Sequence, residues 1–358
     1  ERGNATNDTL IPAQRTFFSR GFSDPTVSPD DPLYFDDLTR FIRIDELARK
    51  AGRGARDWTE TTETVGFDET TTANMTTAGT DRFQATGNAG LGQVFTRGAT
   101  ANVVTLGGSA GGLYSACLWW PNPFHIYDTA TSTAKSFRMS VDFEFPDLTG
   151  NPGGGMTVGF LPGGFPPSLA TCGTNAGTAT EVLRDIGWGG GTYATTERFA
   201  IEIDMSQQND GIYLDPVNNH VATDWYGTKH DGAFGPLCAG TDCSVSGVAN
   251  WLRDGFPNFH RLRIEVDPRI CSGGTAPRVR AWIMRHQDCI DNPTECANMR
   301  LQAPYPTVAP GTVFIESCLP PPASVDAFDS IYFGFTAAKD GGVAETILNL
   351  RQLAGGVY

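Results

Sequence analysis

One stretch constrains the fold more than any other: Arg198 to Gly227, RFAIEIDMSQQNDGIYLDPVNNHVATDWYG. Phe199, Ile201, Ile203 and Met205 alternate with Ala200, Glu202 and Asp204, the two-residue period of a β-strand with a single buried face. Glu202 and Asp204 therefore project from the same side. Carboxylates that close repel and raise one another's pKa, so such a strand exposes them to water, binds a cation, or uses them as an acid and a base. The residues that follow favour the cation. Asn209, Asp210, Asp215, Asn218, Asn219 and His220 crowd a loop in which Pro216 fixes a turn, before Val221 and Ala222 resume an extended run. Hard ions such as calcium take carboxylate, amide and carbonyl oxygens from irregular segments of this kind. A solvated acidic face and a hydrogen-bonded surface histidine are the plain alternatives.

The same alternation recurs along the chain. Phe137, Met139, Val141, Phe143 and Phe145 alternate with Arg138, Ser140, Asp142 and Glu144, and Leu262, Ile264 and Val266 with Arg261, Arg263 and Glu265. Val279 and Ala281, then Ile331, Phe333 and Phe335, repeat it, and each pattern predicts a half-buried strand. With 42 glycines, 23 prolines and no helical period between these runs, the chain predicts an all-β fold of antiparallel sheets packed face to face.

Composition narrows the partners. A net charge of -14 repels phosphate, which argues against nucleic acid or an anionic membrane as the main partner. No apolar run is long enough to span a bilayer. Eight cysteines, Cys117, Cys172, Cys238, Cys243, Cys271, Cys289, Cys296 and Cys318, form no paired CxxC motifs and read as disulfides of an oxidising compartment. Cys238 with Cys243, and Cys289 with Cys296, are expected as local closures. These cysteines imply export, so a chain starting at Glu1 is expected to be a trimmed piece of a longer precursor.

Three regions follow. Residues 1–54 carry the one strong helical pattern: Leu38, Phe41, Ile42, Leu47, Ala48 and Ala51 at near-helical spacing, with Asp36 or Asp45 to cap and Gly52 to terminate. The wording ERGNATNDTLIPAQRTFFSRGFSDP, FDDLTRFI and DELARKAG resembles the C-terminal end of bacterial type IV pilin-like proteins; a short amphipathic helix packed on the β domain is the alternative. Residues 55–80 hold a threonine-rich joint, and 81–358 the β domain.

Glu202-Ile-Asp204, Asn209, Asp215-Pro216 and His220 resemble the metal loop of the L-type, legume-like lectins. The order of landmarks strengthens the likeness: SFRMSVDFEF, the glycine-led strand 154–160, the glycine loop 187–193, the metal loop, FHRLRIEVD, and the strand 331–338. The resemblance implies a concanavalin A-like antiparallel β-sandwich, a jelly roll, preceded by the small helical N-terminal segment. It implies Ca2+, with a second divalent cation such as Mn2+ left open, held by Glu202, Asp204, Asn209, Asp215 and His220. Gln208 or Asp210 can replace Asn209 in that role.

In the family the ion holds a loop that hydrogen-bonds sugar hydroxyls while an aromatic ring packs on the pyranose. By position this implies a carbohydrate site of Asn209, Gly189, Gly190, Asp340 and Gly341, with Trp188 as platform and Tyr213, Trp225 and Tyr226 as further candidates. The family's sugar-binding aspartate has no counterpart, since Gly153-Gly154-Gly155 stands in its place; Asp185 or Asp147 can substitute only if the loops are rearranged. The expected function is a calcium-dependent carbohydrate-binding adhesin, extracellular, on a cell surface or pilus. Its partners are a glycan or surface polysaccharide and pilus or other surface-fibre subunits. The alternative is a structural subunit whose calcium serves stability. Catalysis is not expected, because glycoside hydrolases of this fold need a second glutamate after Glu202-Ile-Asp204 and Gln207-Gln208 stand there instead.

Overall fold

The computed structural model describes residues 83–86, 95–97, 104–107, 114–145, 155–167, 188, 197–205, 220–225, 234–236, 252, 258–301, 312–322, 324, 326–339 and 346–357. The N-terminal helical segment, the threonine-rich joint and the boundaries drawn through them lie outside these residues.

The expected all-β architecture is present. The front sheet runs β1 (Gln84–Thr86), β4 (Tyr114–Trp119), β16 (Ser330–Lys339), β9 (Gly155–Pro162), β10 (Phe199–Asp204), β11 (His220–Trp225), β12 (Phe234–Pro236), with β5 (Phe124–His125) also on β16. The back sheet runs β15 (Thr312–Cys318), β14 (Ala276–Met284), β13 (His260–Cys271), β8 (Phe137–Glu144), β17 (Thr346–Val357), β3 (Val104–Gly107), β2 (Phe95–Arg97). A two-stranded ribbon, β6 (Tyr127–Asp128) with β7 (Thr133–Ala134), stands apart from both sheets. Every described pairing is antiparallel.

The alternating apolar residues meet between the sheets. Phe137 of the back sheet lies 5.2 Å from Phe333 and 5.9 Å from Phe160 of the front sheet, ring centre to ring centre, and Phe160 stacks on Phe199 at 4.7 Å. All four side chains are fully buried in one continuous core. Rings at these spacings add to the burial of their own large apolar area.

Two expectations need correction. The strands read as half-buried are buried on both faces: all six residues of β10 are buried, as are Ser140, Asp142 and Glu144 on the outer side of β8. The period was right, but the outer faces of these strands are withdrawn from water as well, so polar alternation marks a second buried face and not solvent. Nor is the region between strands free of helices. Two short ones, α1 (His286–Asp291) and α2 (Pro293–Leu301), connect β14 to β15. They lie against the outer face of the back sheet, where Arg261 and Arg263 of β13 donate to the carbonyl oxygens of Cys296 and Met299, both at 2.7 Å. Cys289–Cys296 joins the two helices as expected; Cys271–Cys318 ties β13 to the end of β15 across 47 residues, and Cys117 is disulfide-bonded too. Cys238 and Cys243 lie outside the described residues.

Candidate functional site on the front sheet

The register of β10 and β11 places Asp204 opposite His220, Glu202 opposite Ala222 and Ala200 opposite Asp224. Residues directly opposite share a face, and side chains two apart on a strand share it as well. Glu202, Asp204, His220 and Asp224 therefore stand together on the outer face of the front sheet, while Ile201, Ile203 and Val221 fill the core behind them. Glu202 is 1 % exposed, Asp204 2 %, and His220 and Asp224 0 %. Carboxylates withdrawn from water this far need compensation by cations or hydrogen-bond donors.

Strand β9 borders the acids on the other side. Gly155 lies opposite Asp204 with φ +136°, and a Cβ there would sit 2.1 Å from the Ile203 carbonyl oxygen. Only glycine fits at this position. Thr157, opposite Glu202, shares a hydrogen bond of 2.6 Å with Thr336 of β16.

Further along the same face the acids give way to aromatic residues. Trp119 lies on Gly334, where a Cβ would meet its ring at 2.5 Å, and Trp188 lies on Gly159, where a Cβ would meet its Cζ3 at 2.3 Å. Gly334 and Gly159 are themselves register partners, so the two indoles lie side by side, 6.2 Å apart and tilted by 30°. The Arg198 guanidinium stands 4.5 Å from the Trp188 ring centre. Leu161, Ala200, Cys117 and Tyr332 complete this cluster, and burial pushes the Tyr332 hydroxyl above its ordinary pKa.

The site residues expected from sequence are thus divided. The register brings Glu202, Asp204 and His220 together on one face, as the spacing suggested. Their donor chemistry, two carboxylates and an imidazole, suits a divalent cation. Among the described residues no three His, Cys, Asp or Glu side chains are close enough to hold a metal ion by themselves. Asn209 and Asp215, the other ligand candidates, and Asp185, Gly189, Gly190, Asp340 and Gly341 of the sugar site lie outside the described residues. Trp188 is a correction: it is fully buried between Gly159 and Arg198, not an open platform. Trp225 is core, 5 % exposed and 5.7 Å from Phe328. Trp119, Arg198 and Asp224 were missed; Gly159 and Gly334, isolated glycines inside strand patterns, were the signal that something approaches the sheet closely.

No family model matches this sequence, and no curated protein matches it either. Solved structures do. Peanut lectin with a nine-residue peptide superimposes with a TM-score of 0.50 at 17 % identity, over 83 % of this chain and 98 % of that one. The fold is the concanavalin A-like sandwich. A second structure, lectin UEA-II complexed with galactose, gives 0.50 at 12 % identity over 82 % of this chain and 98 % of that one. On this sandwich Glu202, Asp204 and His220 lie toward one end of the β10–β11 pair, while Asp224 lies in the register row of Gly159 and Gly334, which carry the indole pair.

Proposed function

We propose that the chain is a carbohydrate-binding domain of the L-type lectin kind. Its front-sheet rim takes calcium through Glu202, Asp204, His220, Asn209 and Asp215, with a second divalent cation such as Mn2+ as a further occupant. The observation that carries this reading is the register of Asp204 against His220 with Glu202 beside them, on a lectin-like sandwich. A bound cation would supply the positive charge that offsets the two carboxylates and would stiffen the loop between β10 and β11. Glu202 and Asp204 are aimed by a strand pinned on both sides, by β9 and by β11. Galactose in the UEA-II structure supports a glycan as ligand. Placement on an extracellular surface or pilus belongs to the same proposal and is supported by the disulfides and the pilin-like wording of residues 1–54.

A second reading has its own support. Trp188 is closed in, not presented, which favours a structural or protein-binding subunit that uses calcium for stability alone. Glycan-array binding and thermal melting of the intact chain, each with calcium and with chelator, separate the two. Calcium-dependent glycan binding supports the lectin. A calcium-raised Tm without glycan binding supports the structural subunit, and saturation a hundredfold above Kd raises stability by about 2.7 kcal/mol. Asp204→Ala is expected to abolish the calcium response; a response unchanged in Asp204→Ala and in Asp215→Ala overturns the metal assignment.

A further inference from the structure

The helical pair on the back sheet has a contact that neither the fold nor the front-sheet rim requires. Arg261 of β13 points its guanidinium at the Cys289–Cys296 disulfide: Nη1 lies 3.0 Å from Cys296 Sγ and 2.7 Å from the Cys296 carbonyl oxygen. The same guanidinium binds Asp142, with Nε 3.0 Å from Oδ1, and Arg351 approaches Asp142 Oδ2 at 3.8 Å. Asp142 is thus shared between two guanidiniums, and the one from Arg261 is in direct contact with the sulfur. Among the described residues no side chain donates to either sulfur of Cys271–Cys318.

We propose that Cys289–Cys296 is a reducible clasp, in which Arg261 stabilises Cys296 as the leaving thiolate and the clasp holds α1 and α2 on the back sheet. A cation next to a sulfur favours its thiolate, and the thiol with the lower pKa leaves faster. A dithiol reductant supplies the electrons. Its thiolate attacks Cys289 Sγ, the S–S bond breaks, and the electron pair departs on Cys296 Sγ beside Arg261. The second thiol of the reductant then displaces Cys289 as a thiol and becomes a disulfide with the first. The sum is a two-electron oxidation of the dithiol and a two-electron reduction of the clasp, with one proton released where Cys296 stays ionised.

Access comes from the hairpin. Both sulfurs are buried, Cys289 at 1 % and Cys296 at 0 % exposure, yet most other residues of α1 and α2 are exposed or half-buried. Helices of six and nine residues are marginal by themselves. Among the described residues, what seats them is Cys289, Cys296 and Met299 packed with Trp282, Met284 and Phe314, the two arginine–carbonyl bonds, and a hydrogen bond of 3.2 Å from the His286 backbone N–H to His260 Nδ1. Such a segment opens locally at a cost well below global unfolding. Cleavage removes the covalent tie, so opening becomes easier and uncovers Trp282.

The test equilibrates the intact chain in mixtures of reduced and oxidised dithiothreitol, quenches in acid, alkylates, and maps each disulfide by mass spectrometry. In Arg261→Gln the clasp should need a ratio about tenfold more reducing for half-reduction, with Cys271–Cys318 unmoved. An unchanged ratio for the clasp overturns the proposal. Because Arg261→Gln leaves Asp142 short of a partner and can fail to fold, the wild type provides a second readout. After reduction, alkylation of Cys296 should titrate below the ordinary thiol pKa of about 8.5, and hydrogen exchange should rise in residues 286–301 but not in β8. A Cys296 midpoint at or above that value, or exchange unchanged on reduction, overturns it equally.

Discussion

The two outer faces of the sandwich are both interior, but they are closed by different chemistry. On the front sheet, closure is by shape around the middle, where two indoles lie on two glycines, with Glu202, Asp204 and His220 toward one end of the β10–β11 pair. On the back sheet, closure is by charge. Asp142 pairs with Arg261, Glu265 with Arg263 and with Arg280 at 2.6 Å, and Asp267 with Arg278 at 2.8 Å and Arg280 at 3.0 Å, with α1 and α2 laid over one side. A shape-closed face tolerates loss of one polar group but not added volume. A charge-closed face behaves the other way round.

The largest expected effect tests the charge-closed face. Asp142→Leu strips Arg261 of a carboxylate while both sites are fully buried, and a buried pair broken from one side loses about 3–5 kcal/mol. The double variant Asp142→Leu with Arg261→Met should regain most of that in urea unfolding, because apolar residues of similar volume replace a buried pair at little cost. A double variant no more stable than the single one breaks the distinction drawn between the faces.

The shape-closed face predicts a smaller effect with a sharp control. Gly334→Val drives a side chain into Trp119 and toward the Leu118 carbonyl oxygen at 2.6 Å, and overpacking of this kind costs about 1–3 kcal/mol. Gly164→Ala meets nothing within 4 Å and should stay within about 0.5 kcal/mol of wild type. If shape governs, Gly334→Ala is partly rescued by Trp119→Leu, which no charged substitution on this face would do.

The same contrast explains what could be read before folding. Period two identified β8, β10, β13 and β16, because alternation is a local property of the chain and both sheets share one apolar core. The strand that carries Glu202 and Asp204 and the extended run after His220 were also legible, and they pair as neighbours with Asp204 opposite His220. The indoles on glycine were not: Gly159 and Gly334 announce a close approach, but their partners Trp188 and Trp119 come from elsewhere in the chain. Helices α1 and α2 were missed because the outer face of the back sheet needs only Cys289, Cys296 and Met299 from them. Three buried positions among the fourteen residues 286–299 leave no helical period to detect. Cys271–Cys318 escaped for a related reason, as the neighbouring registers of β13, β14 and β15 bring the two ends together over 47 residues.

The smallest effect separates two carboxylates that arginines bind with opposite outcomes. Burial alone would raise the Asp267 pKa, but hydrogen bonds from Ser136 and Arg278 and the charges of Arg280 and Arg278 hold it below the ordinary 3.8. A depressed carboxyl pKa gives stability that is present above the unfolded value and lost as pH falls through the folded one. Asp329, at the β13–β14 end, is pushed above 3.8 by burial despite Arg269, so its share is present in acid and lost as pH rises through the folded value. Ser136→Ala removes one donor from Asp267 and should cost about 1 kcal/mol at neutral pH. As pH falls below 3.8 that difference should shrink, because a protonated Asp267 no longer gains from the Ser136 hydroxyl as an ion does. A Ser136→Ala deficit that stays constant down to strongly acid pH means that the serine acts through packing, and that charge closure of the back sheet ends before Asp267.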